Sequence, residues 1–207
     1  MRLTDRFFLG EPQLRGFDIR GVGPRVVRYG NVDLTDPANP ILDTSNTARV
    51  DDALGGRAYY KGRFEVDIPL GSGAKELGLR PSVFLDFGSV WGVKRPTLTT
   101  LADFKDPSDN LTKYKCRNAS TGDTQFATLT TGSTTLYSTC DTANGYIPLA
   151  PFEERYLGDS WKPRVAIGAG VNWNSPFGPF RIDFAYALRK EEGDDTKRFS
   201  FNVGTQF

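Results

Sequence analysis

The sequence predicts an all-β fold built from the antiparallel strands of a transmembrane β-barrel, with too few strands in the chain to close it. Three observations carry this reading. Short segments alternate apolar and polar residues with the period of a strand. Charges gather on the polar face of several segments, namely Lys61, Arg63, Glu65 and Asp67 in one, and Arg181, Asp183 and Arg189 in another. The connections are short at GSGAKELG and SPFGP but long at roughly 93–162, the asymmetry of a membrane barrel with tight turns on one side and loops on the other.

The last ten residues alternate most cleanly. Phe199, Phe201, Val203, Thr205 and Phe207 share one face, and Arg198, Ser200, Asn202, Gly204 and Gln206 the other. Before them, Phe180, Ile182, Phe184, Tyr186 and Leu188 alternate with Arg181, Asp183, Ala185, Ala187 and Arg189, and the charged KEEGDDTK between the two segments reads as a hairpin turn. Upstream, Val165, Ile167, Ala169, Val171 and Trp173 alternate with Ala166, Gly168, Gly170 and Asn172, and SPFGP connects this strand tightly to the next. Two earlier strands follow the same rule. Tyr60, Phe64, Val66 and Ile68 stand opposite Tyr59, Lys61, Arg63, Glu65 and Asp67, and Val83, Leu85 and Phe87 opposite Ser82, Phe84, Asp86 and Gly88.

A soluble β-sandwich also alternates and also carries long loops. Rows of charge on a common face are better explained by a barrel lumen. Each barrel strand crosses with only about 9–11 residues, half of them polar, so a low mean hydropathy and the lack of a continuous helical span do not count against it. Five strands left open in lipid would expose unpaired backbone groups at several kcal/mol each, so the sheet must pair with strands outside the chain. The N-terminal MRLTDRFFLG lacks the apolar core of a secretory signal, and an exported protein would carry that signal upstream.

Composition removes several functions. The chain has no histidine, which excludes histidine acid–base chemistry and histidine metal sites. The 26 basic and 25 acidic residues nearly cancel, so nothing points to nucleic acid. No cofactor or metal is required, and the expectation is a protein that is not an enzyme. Glu65 and Asp86 could form an acid–base pair, but paired carboxylates are also ordinary wall charges of a lumen. A hydrolase would need a Ser/His or Asp/His set. Cys116 and Cys140, the only cysteines, both fall in the long connection. In an oxidising compartment they would form one disulfide that stabilises a loop of roughly 25 residues by about 3–4 kcal/mol on the chain-entropy model; two free thiols are the alternative.

Four motifs in order carry a family resemblance. FFLGEPQLRGFDIRGVGPR, with Leu14, Arg15, Gly16 and Phe17, resembles the signature inward loop of outer-membrane protein assembly factors of the BamA/TamA superfamily. DDALGGRAYYKGRFEV (Asp51 to Val66), FLDFGSVW (Phe84 to Trp91) and SPFGPFRIDFAYAL (Ser175 to Leu188) are similar to segments that follow in that family. FSFNVGTQF is similar to the C-terminal β-signal shared by many outer-membrane barrels. The resemblance runs from about Arg6 to Phe207 and weakens in 93–162. The family's earlier strands and its periplasmic POTRA repeats are not in this chain.

The resemblance implies an organisation: an inward-folding loop with an RGF tip (1–50), a strand pair (51–92), a long external loop (93–162) and the last three strands (163–207). It implies a loop lock in which Arg15 enters the lumen and meets Glu65 and Asp86. Alternation independently puts both carboxylates on the polar side of adjacent strands, and a guanidinium binds carboxylates in a bidentate way that lysine cannot. Gly16 would let the tip approach the wall, and Phe17 would pack beside it. An ordinary surface turn with one arginine is the plainer alternative. The resemblance further implies a lateral seam at the last strand, with Phe199, Phe201, Val203, Gly204 and Phe207 as β-signal and Gly204 weakening the pairing. The implied function is folding and inserting β-barrel proteins into the outer membrane of a Gram-negative bacterium; the alternative is a TamA-like factor or a two-partner secretion translocase. The implied partners are outer-membrane lipid, client barrels and accessory assembly lipoproteins.

Overall fold

In a computed structural model the described residues are 5–45, 49–69, 71, 78–131, 136–176 and 178–203. In chain order the strands are β1 (Arg25–Tyr29), β2 (Val32–Asp33), β3 (Ile41–Leu42), β4 (Arg49–Ala53), β5 (Ala58–Asp67), β6 (Leu79–Trp91), β7 (Lys115–Asn118) and β8 (Thr124–Phe126). They continue as β9 (Thr128–Thr131), β10 (Leu136–Thr139), β11 (Tyr146–Leu149), β12 (Glu153–Leu157), β13 (Arg164–Ser175), β14 (Gly178–Arg189) and β15 (Phe199–Val203). The chain divides into two compact units.

The first unit comprises Met1–Arg25, Ala53–Arg95 and Tyr156–Phe207. Its frame is a five-stranded antiparallel sheet in the order β15-β14-β13-β6-β5, with β5 and β15 at its edges. All five predicted strands are present, and the sheet is unclosed, as a partial barrel requires. Its polarity is inverted relative to a soluble domain. Phe184 is 63% exposed and Phe201 53%, whereas Asp86 on the opposite face is fully buried.

The outer face is a continuous apolar surface. Phe184 meets its cross-strand partner Phe199 at 5.1 Å with the rings tilted at 59°, and Phe180 lies 5.8 Å from both Trp173 and Phe201, stacked on the latter. Patches of this extent are rare on soluble monomers. The inner face carries Ser82, Phe84, Asp86, Arg181, Asp183 and Ser200, all buried. Small residues occupy the same face of β13: a side chain at Gly168 would collide with the Phe84 ring, and one at Gly170 with Asp183. The small alternate residues of β13 therefore make room for the functional side chains of its neighbours.

The second unit comprises Val26–Asp52 and Pro96–Arg155. It contains the sheet β11-β7-β8 and the hairpins β9-β10 and β2-β3; most of the sheet β12-β1-β4 also lies here. The span 93–162, expected as an external loop, thus holds strands β7 to β12. They are only 3 to 5 residues long, too short to show a period against the surrounding Thr, Asn and Gly. The expected inward loop 1–50 is likewise divided, because residues from Val26 onward belong to this second unit. Cys116 at β7 and Cys140 just after β10 form a disulfide with Cα atoms 5.5 Å apart.

Candidate functional site: a buried arginine on the inner face

Residues 5–25 cross the inner face of the five-stranded sheet and are tied to it by their backbone. Phe7 bridges to Gly56, and Phe17 to Thr196. The Asp18 amide donates to the Asp195 carbonyl at 3.0 Å, the Asp195 amide to Gly21 at 2.9 Å, and the Lys197 amide to Gly16 at 3.2 Å. Leu9, Leu14, Phe17 and Val22 bury against Val90 and Ala166, with Ala187 beside them, which gives this otherwise polar face a small apolar core. Gly16 permits the closest approach. Its φ is +87°, and a Cβ there would stand 2.9 Å from the Ala166 Cβ and 3.3 Å from that of Ala185. Both backbone conformation and contact therefore demand glycine.

The turn aims Arg15 at the wall. Its Nε donates to Asp86 Oδ2 at 2.7 Å, its Nη2 to Oδ1 at 2.8 Å, and its own backbone amide to Oδ2 at 3.1 Å. This is a bidentate pair supplemented by the main chain. The guanidinium carbon lies 3.3 Å from the centroid of the Phe84 ring, so the cation is also covered by an aromatic face. Nη1 stands 3.1 Å from Glu65 Oε2 and 3.6 Å from Asp183 Oδ1. Neither contact meets hydrogen-bond geometry, and among the described residues Nη1 has no hydrogen-bond partner. Asp86 is thus the hydrogen-bonding partner of Arg15, and Glu65 acts on it through charge.

Further charges complete the cluster. Arg63 Nε donates to Asp86 Oδ1 at 3.2 Å, and its Nη2 to the Pro12 carbonyl at 3.1 Å. Glu65 Oε1 accepts from Ser82 Oγ at 2.6 Å and from Arg181 Nη2 at 2.8 Å. Arg181 Nε also donates to Asp183 at 2.8 and 2.9 Å. Three guanidinium groups (Arg15, Arg63, Arg181) therefore meet three carboxylates (Glu65, Asp86, Asp183), and the cluster is neutral as a whole. Neutrality matters because a buried ion costs several kcal/mol unless it is paired. Glu65 and Asp86 are both engaged by arginine.

A second buried pair lies in the same unit. Arg164 and Asp194, both with fully buried side chains, meet at 2.9 Å, and Arg164 also donates to Ser89 Oγ and to the Ser160 and Gly158 carbonyls. Arg25 pairs with Asp195 at 2.9 Å. KEEGDDTK, expected as a charged hairpin turn, is thus docked through its two aspartates.

Of the expected site residues, the structure brings together Arg15, Gly16, Phe17, Glu65 and Asp86. Phe199, Phe201 and Val203 lie on the exposed face of β15, away from this cluster, while Gly204 and Phe207 lie outside the described residues. Arg63, Arg181, Asp183 and Phe84 belong to the cluster although sequence reasoning assigned them no individual role. Their signal was the shared polar face of the strands. Arg164 and Asp194 had no such signal.

A family model for the Omp85 superfamily domain matches residues 1–207. The chain is 27% identical over 205 residues to the outer membrane protein assembly factor BamA of Neorickettsia risticii (strain Illinois), covering 99% of this chain and 17% of that protein. It is 26% identical over 166 residues to the protein of the same name from Neisseria meningitidis serogroup B (strain ATCC BAA-335 / MC58), covering 77% and 16%. The chain thus spans about a sixth of the curated relatives it matches. Among solved structures, the fold is similar to BamA from Haemophilus ducreyi lacking POTRA domains 1–3, with a TM-score of 0.50 at 21% identity, covering 96% of this chain and 26% of that one.

Proposed function

The chain belongs to the Omp85 superfamily, and from that premise we propose that it is the C-terminal barrel part of an outer-membrane protein assembly factor, which folds and inserts other β-barrels through its lateral seam. The observation that carries the proposal is the combination of a wall held from inside by Arg15 and a last strand, β15, at the edge of the sheet with its apolar face outward. A lumen occupied by residues 5–25 suits work at the wall better than an open pore. An edge strand is a natural template for an incoming strand.

In this reading Arg15, Gly16, Phe17, Glu65 and Asp86 form the loop lock. Phe199, Phe201, Val203, Gly204 and Phe207 form one side of the seam. The protein sits in the outer membrane of a Gram-negative bacterium, with lipid on the apolar face and with client barrels and accessory assembly lipoproteins as partners. It needs no cofactor, because client folding and lipid burial supply the driving energy. The names of the curated relatives favour barrel assembly over polypeptide secretion.

The experiment is charge exchange in the full-length protein. Arg15→Glu should abolish assembly of a client barrel in proteoliposomes, and Arg15→Glu combined with Glu65→Lys and Asp86→Lys should restore part of it. If the combined variant folds normally and restores nothing, ion-pair locking is wrong.

A further inference from the structure

Two consecutive residues of the inner segment reach opposite edges of the sheet. The Pro12 carbonyl accepts from Arg63 on β5. Beside it, Glu11 is nearly buried; its Oε1 accepts from Asn202 Nδ2 on β15 at 3.2 Å, and its Oε2 lies 3.0 Å from Lys197 Nζ. In sequence, β15 follows at once on the stretch 195–197, which is itself hydrogen-bonded to Gly16, Asp18 and Gly21. Within the described residues β15 is paired only along its β14 side. Its inward side chains Ser200 and Asn202 are thus where the inner segment can hold it.

We propose that Glu11 is a positioning residue that couples the inner segment to the last strand, fixing how the edge of β15 is presented. The proposal rests on the reading of β15 as one side of the seam. A carboxylate suits the task because its two oxygens serve two partners at once, one accepting from the neutral amide of Asn202 and the other pairing by charge with the ammonium of Lys197. Burial of Glu11 strengthens the bond it accepts from Asn202, whereas the Lys197 side chain is 41% exposed and its pairing is the weaker of the two. Lys197 also stands 4.0 Å from Asp18, but Asp18 is exposed and that contact is weak. Because the Arg15 cluster and Glu11 lie on one short segment, a movement of the tip away from Asp86 would be passed to β15 through Glu11.

The test is a double-mutant cycle in the full-length protein: Glu11→Ala, Asn202→Ala and both together, read by hydrogen exchange of the amides of residues 199–203. Each single change should speed exchange of these amides about tenfold, the scale of one charge-assisted bond. The double change should add little beyond either single one, and Glu11→Gln should lie between wild type and Glu11→Ala. Exchange at β6 and β13 should not move. Unchanged exchange in Glu11→Ala, independent multiplication of the two effects, or equal acceleration throughout the sheet would each overturn the proposal. Client insertion by the same variants separates the two readings. Faster β15 exchange with undiminished insertion leaves the coupling intact and counts against the seam, whereas altered insertion without any change at β15 counts against the coupling.

Discussion

At the scale of single residues, Arg15 shows how a charge becomes structural. Its guanidinium is satisfied by a bidentate carboxylate and capped by the Phe84 ring. Arg15→Ala leaves Asp86 fully buried with only the partly exposed Arg63 and the backbone amide of residue 15 beside it, and removal of one partner of a buried pair costs about 3–5 kcal/mol. We therefore expect residues 5–25 to become accessible to protease in Arg15→Ala, with Arg15→Lys intermediate, because an ammonium keeps the charge but not the fork. Resistance equal to wild type in both would contradict this. Gly16→Ala should loosen the same segment by a different route, since its φ of +87° and its approach to Ala166 leave no room for a methyl group; strain at such a φ is on the order of 1 kcal/mol before the clash is counted. Protease mapping should then show cleavage around residues 10–20, and an unaltered map would contradict it.

At the scale of elements, the five long strands were legible because an inverted barrel keeps the period of two. Alternation of Phe180, Ile182 and Phe184 with Arg181 and Asp183 predicts β14, and charges on the other face indicate which side is the lumen. The acidic partners of Arg15 were legible for the same reason. Arg164 and Asp194 were not, because they lie 30 residues apart and a charge in KEEGDDTK looks the same whether it is solvated or docked. The short strands β7 to β11 were hidden by length. Consequences follow at the same scale. Phe184→Arg on the apolar face should cost about 2–4 kcal/mol of folding stability near mid-bilayer, measured by urea titration in lipid vesicles; Ser200→Asn on the lumen face should cost much less, and equal losses would argue against the assignment of faces.

In the second unit, hydrogen bonds from Lys113, and then from the backbone and side chain of Ser108, hold Asp106 down to about 2 from 3.8, while its hydrogen bonds to Asp106 and Asp109 raise Lys113. A lowered acid stabilises the folded turn above its unfolded value, so this contribution is present above pH 3.8 and is lost as pH falls through about 2. The raised Lys113 contributes below its ordinary value of 10.5 and loses that contribution as pH rises through its higher folded one. A carboxyl chemical-shift titration of Asp106 should give a midpoint near 2, and Lys113→Met should return it towards 3.8.

At the scale of the whole molecule, the features meet in one arrangement: an apolar face turned outward, a neutral charge cluster within, and an edge strand reached by the same segment that carries Arg15. A soluble sandwich would reverse the first feature. The chain spans about a sixth of the length of its curated relatives, and in the proposed function the other side of the seam lies outside the described strands. If the proposed function is right, β15 must part from the first strand of the complete barrel for clients to enter. It is tested most directly by a disulfide linking Phe201→Cys on β15 to a cysteine on the first strand of the full-length protein, with client insertion into proteoliposomes measured before and after reduction. Insertion should be lost in the oxidised protein and regained with reductant; full insertion with the crosslink verified would contradict entry of clients through this seam.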